Sequence, residues 1–174
     1  MLSQLYLQFF ILLLFAATSY AQPNDAATTE NVQAVNRTVI NLYEAYSFED
    51  GNYPATEDIL AHFTDDAILS YISDGSLVTK PVAEYFEQWQ KSNRVNGIEF
   101  LQEVEINGRT DIFKSVAHRI SSAKFTARGQ EESSGLAVIS LQLAQVNGKW
   151  LVHTMLWQSL GEGESLPLRY RQKE

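Results

Sequence analysis

His153 sits in the last apolar run of the chain, Trp150 to Ser159. An imidazole there can serve as a general base, because its ordinary pKa already lies near working pH. What it faces depends on Asn147-Gly148, just upstream. A two-residue type I′ turn needs positive φ at both central positions, and Asn-Gly between apolar runs is the strongest short-range hairpin signal. Counting outward pairs Gln145 with Trp150, Leu143 with Val152, Leu141 with Thr154 and Ile139 with Leu156 on one largely apolar side. The other side then carries Val138, Ser140, Gln142 and Ala144 opposite Leu151, His153, Met155 and Trp157. Apolar walls with a few polar groups suit a small-molecule pocket, and they equally suit a subunit interface or a damp core edge. His153 is accordingly either a base or a hydrogen-bonded core or interface histidine.

His118, in Ala117-His118-Arg119-Ile120, is placed to share that cavity, whereas His62 falls on a short helix outside it. Two histidines without a third ligand make a poor zinc or iron site, so no metal and no cofactor are expected. Asp65-Asp66 read as backbone caps in a turn. Glu99, Glu103 and Glu105, interleaved with Phe100, Leu101 and Val104, read as a solvated strand face. Tyr43, Tyr46, Phe86 and Trp89 at helical spacing are core residues, with the ends of Tyr46 and Trp89 reaching the cavity. The chain shows no Gly-rich phosphate loop and no Ser-His-Asp arrangement.

These groups must be positioned by one domain. Leu2 to Tyr20 hold no charged side chain, and the run Phe9 to Ala17 is too short to cross a bilayer. Small residues at Ser19 and Ala21 predict an export leader over 1–21, cleaved after Ala21, although no Lys or Arg precedes its core. A domain over 22–160 and a tail over 161–174 make up the rest, secreted or periplasmic. The absence of cysteine means that packing alone holds the fold. The net charge of −8 argues against nucleic acid or an anionic membrane as partner. Asn36-Arg37-Thr38 is a formal glycosylation sequon inside a predicted helix.

Val32, Val35, Val39, Leu42 or Tyr43, and Tyr46 form a stripe on a helix of about four turns. Thr56 is read as the cap of a short second helix, and Pro81 opens a third with Val82, Phe86 and Trp89 inward. Strands are predicted over 67–72, 76–79, 98–106, 114–126, 136–146 and 150–159, with a long loop from Arg128 to Ser134. Helices leading into an antiparallel sheet define an α+β fold, with the helices on one face of a curved sheet.

This order, with Phe63-Thr64-Asp65-Asp66-Ala67 and Asn147-Gly148-Lys149-Trp150-Leu151-Val152, resembles the nuclear transport factor 2-like superfamily. That superfamily includes the SnoaL-like proteins and ketosteroid isomerase, and the likeness runs from about Val32 to Trp157. Tyr46-Ser47-Phe48-Glu49-x-Gly51 and Leu156-Trp157 look most like a branch without assigned activity. The resemblance implies a cone, a bent sheet wrapped around about three N-terminal helices with a pocket inside, and often a homodimer formed through the sheet. A gap-free match of the last hairpin to that of ketosteroid isomerase puts His153, Met155 and Trp157 on pocket positions. It also puts the base position on Tyr71 and the oxyanion-acid position on Ser140, with the helical tyrosine near Leu42. Both carboxyls of that mechanism are missing, which disfavours steroid-type isomerisation.

The leading expectation is an exported protein binding a small, partly apolar molecule among Tyr46, Tyr71, Phe86, Trp89, Ser140, Gln142, His153, Met155 and Trp157. One alternative is an isomerase, dehydratase or cyclase with His153 and His118 as acid and base and Tyr71 as oxyanion donor. Another is a homodimeric association module.

Overall fold

A computed structural model describes residues 25–171, with side chains from residue 29; the predicted leader lies outside the described residues. Helix α1, Asp25–Tyr46, buries Val35, Val39, Leu42, Tyr43 and Tyr46 along one face, the stripe that its spacing predicts. Helix α2 is Thr56–Leu60; Ala55, not Thr56, occupies its cap position and makes no side-chain capping bond. Helix α3, Val82–Val95, starts after Pro81 and turns Val82 and Phe86 inward. No helix among the described residues is long and apolar enough to cross a membrane.

The strands are β1, Phe63–Ser73; β2, Ser76–Pro81; β3, Phe100–Phe113; β4, Val116–Arg128; β5, Glu132–Val146; and β6, Lys149–Ser159. They form one curved sheet in the order β2-β1-β6-β5-β4-β3. Antiparallel pairing throughout is corrected at one place, where β1 runs parallel to β6 and the sheet becomes mixed. The long loop expected after Arg128 is also corrected, because β4 and β5 pair to Arg128 opposite Glu132. Asn147 and Gly148 adopt φ of 51° and 80°, the pair of positive values a type I′ turn requires. Asp65 and Asp66 lie exposed within β1 rather than in a turn.

Two β-bulges decide which residues face the helices. In β6, Leu143 pairs with Val152 and Gln142 with Thr154, so His153 is an extra residue without a partner on β5. Beyond it the predicted pairs shift by one, to Leu141 with Met155 and Ile139 with Trp157. An odd insertion inverts every later side chain relative to an unbroken strand. Met155 and Trp157 therefore join Ile139 and Leu141 on the inner face, while Ser140, Gln142, Thr154 and Leu156 face outward. In β3 the ladder steps from Glu105–Ala123 to Asn107–Ser122, which gives Ile106 the same role.

The outer face leaves Ile68, Ile72 and Leu156 exposed. Around Asn107 and Ser122 it is covered by the tail, where Ser122 Oγ donates to the Tyr170 carbonyl at 2.6 Å and Asn107 Nδ2 to that of Arg171 at 2.9 Å. Leu166 docks with 5% exposure, whereas Leu168 points to solvent.

Candidate functional site

Between α1, α3 and the inner face of the sheet lies a cavity of about 170 Å³. Its walls are Tyr46 from α1, Tyr85, Phe86 and Trp89 from α3, Leu69 from β1, Phe125 from β4, Ile139 from β5, and Met155 and Trp157 from β6. Leu101 and Glu103 from β3 complete it. The rings contact one another at centroid distances of 5.2 to 6.2 Å, mostly edge to face, the arrangement aromatic quadrupoles favour. Phe125 is held over Gly135, its cross-strand partner, where a Cβ would stand 2.5 Å from the ring.

Glu103 is the charged group of this wall. Backbone bonds between Phe48 and Leu101, 2.8 and 2.9 Å, pin the segment after α1 to β3, and Glu103 N donates to Ser47 Oγ. That clamp brings Tyr46 Oη to 2.7 Å from Glu103 Oε2, to which it donates. Burial pushes the Glu103 carboxyl above the ordinary carboxylate range, against the lowering effect of the Tyr46 bond. Burial, reinforced by the neighbouring Glu103 charge, holds the Tyr46 phenol protonated far beyond neutral pH. The pair is thus a tunable acid beside a fixed hydrogen-bond donor.

The raised Glu103 pKa carries a stability effect. A carboxyl that binds its proton more tightly when folded costs nothing below its unfolded pKa of about 4.3. It then lowers stability as pH rises from there through the folded value. Glu103→Gln keeps an acceptor for Tyr46 but cannot ionise. The variant is expected to melt above the parent at neutral pH and to converge with it toward about pH 4. Thermal melts of both proteins across this range check it, and a pH-independent difference would contradict the assignment.

Of the residues predicted to line a pocket, Tyr46, Phe86, Trp89, Met155 and Trp157 do meet around this cavity. Tyr71 stands beside it, stacked on Trp157 at 5.1 Å. Ser140, Gln142 and His153 are not with them, and the expectation that these three share one sheet face with Met155 and Trp157 is corrected by the bulge at His153. His153 and His118 instead border an open outer groove of about 490 Å³ with Asp111, Phe113, Val116 and Gln142. There His118 Nε2 contacts Ser140 Oγ at 3.0 Å, and His153 Nδ1 contacts Thr64 Oγ1 at 3.0 Å. Thr64 donates its proton to Asp66 Oδ1, so the contact requires Nδ1–H on His153. The Thr64 hydrogen bond, with the imidazole adding a smaller effect, holds the Asp66 carboxyl below its usual range. Tyr71 and the two histidines therefore do not converge on one reacting point.

Glu103, Tyr85 and Phe125 join the site without a sequence-based expectation. The reading of Glu103 and Glu105 as solvated is corrected: both share the inner face with Leu101. Their spacing of two from Leu101 is the signal that could have found them. Glu105 serves a different purpose. Its carboxylate takes Arg119 Nε at 2.9 Å and Nη2 at 2.5 Å, and Arg119 Nη1 donates to Asn36 Oδ1 on α1. Thr110 Oγ1 donates to the same Asn36 oxygen, so the sequon's asparagine is engaged inside the fold. Gly108 leaves the space, because a Cβ there would overlap the guanidinium. No cluster of three His, Cys, Asp or Glu able to hold a metal occurs among the described residues.

A mixed sheet curved around three helices, with an aromatic cavity between them, defines a cone-shaped α+β protein. The chain has the nuclear transport factor 2-like fold. A solved structure from Streptomyces avermitilis, described as a candidate dehydratase of that family, superposes with a TM-score of 0.61 at 14% identity, covering 77% of this chain and 99% of that one. One from Novosphingobium aromaticivorans, described as a candidate scytalone dehydratase, gives 0.62 at 13% identity, covering 86% and 96%. A Shewanella baltica protein of unknown function with the same fold gives 0.53 at 16%, covering 77% and 97%. No family model and no curated protein matches the sequence.

Proposed function

We propose that this chain, exported by its leader, binds a small, largely apolar molecule of about ring size in the inner cavity. The molecule's polar group would meet the Tyr46–Glu103 pair. The observation that carries this reading is a half-buried carboxylate, hydrogen-bonded to a tyrosine, in an otherwise apolar and aromatic cavity. Phenol offers the right size and one polar group. Calorimetric titration of the full chain with phenol is expected to show saturable binding. Gly135→Ala, which drives the Phe125 ring off its seat, is expected to weaken that binding while leaving the far-ultraviolet circular dichroism unchanged. Equal binding by a folded Gly135→Ala protein would place the ligand elsewhere.

The 2.7 Å contact also supports a second reading, proton transfer within the same cavity. Glu103 would take a proton next to a carbonyl as Tyr46 turns its O–H from the carboxylate to the developing oxyanion; the proton on Glu103 would then return to another carbon, giving isomerisation, or go to a leaving β-hydroxyl, giving loss of water. Water loss from small β-hydroxy ketones, monitored by absorbance of the enone, reads this directly. The outer face bearing Ile68, Ile72 and Leu156 is where the expected second copy would pack, and analytical ultracentrifugation of the full chain reports it.

A further inference from the structure

We infer that the inner cavity is selective for a compact organic cation, a quaternary or tertiary ammonium, held between its aromatic rings and the Glu103 carboxylate. This deepens the small-molecule reading and rests on it.

Three features of the cavity converge on this ligand class. First, Tyr46, Tyr85, Phe86, Trp89, Phe125 and Trp157 all contribute to its walls. In an edge-to-face cluster the rings alternate in orientation, so negative ring faces border the shared space together with edges, and such faces attract alkylammonium groups. Second, the carboxylate in this wall lacks a cation. No Lys, Arg or His lines the cavity, and Arg119, also on the inner face, is committed to Glu105 and Asn36. Among the described residues Glu103 Oε2 accepts from Tyr46, and Oε1 takes no hydrogen bond. A neutral ligand without a donor leaves that charge unpaired. An ammonium supplies the missing charge, and a tertiary one also supplies an N–H donor.

Third, the size fits. A cavity of about 150 Å³ holds benzene. The 170 Å³ here takes a trimethylammonium head with a short arm and is far too small for a steroid. The net charge of −8 further favours the arrival of cations.

The test compares choline with 3,3-dimethylbutan-1-ol, which has the same shape with a neutral carbon in place of the charged nitrogen. Both are titrated into the full chain by calorimetry, with quenching of Trp89 and Trp157 fluorescence as the second readout. Choline is expected to bind tighter than the alcohol by about tenfold or more. Glu103→Gln is expected to weaken choline by a similar factor and to abolish the preference for choline over the alcohol. Equal affinities, or no binding of choline, overturn the proposal, and this comparison needs only the unmodified protein. If choline fails while phenol still binds, the cation proposal falls and the small-molecule reading stands. If phenol fails as well, both fall.

Discussion

Glu105→Ala is expected to cost about 3–5 kcal/mol of folding stability, a large share of what a domain of this size possesses. The reason is the charge left behind. Arg119 is 3% exposed. Its two bonds to Glu105 compensate a desolvation that would otherwise be prohibitive, and Asn36 and Thr110 supply only neutral acceptors. Removing the carboxylate strands a guanidinium in the core, whereas removing both charges does not. The double variant Glu105→Met/Arg119→Met is therefore expected to recover most of the loss, because apolar replacements of a buried pair are often neutral or better. Urea unfolding of the parent, the single and the double variant checks it. A single variant within about 1 kcal/mol of the parent would show that water reaches Arg119.

Phe86→Ala is expected to cost about 3–5 kcal/mol as well, by a different route. Phe86 is 3% exposed and contacts Tyr46, Phe63, Tyr85 and Trp89 at centroid distances of 5.2 to 5.9 Å. Its loss removes a buried ring and leaves a void that the flanking strands cannot close. That void opens directly into the existing cavity, since Phe86 is part of its wall. A hydrocarbon should therefore restore stability by mass action. Benzene is expected to raise the melting temperature of Phe86→Ala more than that of the parent. Equal shifts would mean that the neighbouring rings collapse into the space instead.

The helices are legible in the sequence because their burial is decided locally: Val35, Val39, Leu42 and Tyr46 are a helical stripe whatever they pack against. The final hairpin is legible up to Val152 for the same reason, since Asn147-Gly148 admits essentially one turn. Beyond that point the sequence is silent about the bulge. Leu151, Val152, Met155, Leu156 and Trp157 are apolar on both possible faces, so the alternation that would expose an extra residue is missing. Glu103 is hidden differently. Its spacing of two from Leu101 puts the two on one face, and the placement of α1 over β3 makes that face the inner one. The parallel pairing of β1 with β6 rests on layer packing across some eighty residues, which no local pattern encodes.

The bulge at His153 acts on β6 as an insertion acts on a reading frame. Residues before it and after it obey opposite parities, and the strand is correctly read only when that position is skipped. Deleting His153 would leave Val152 and Thr154 adjacent with their partners unchanged, so Met155 and Trp157 would still face the cavity. Deleting Leu156 would instead turn Trp157 outward. Related proteins whose last strand lacks the extra residue therefore align with this chain only if a one-residue gap is opened at His153. Without it, each would assign its cavity residues to the wrong side of the sheet.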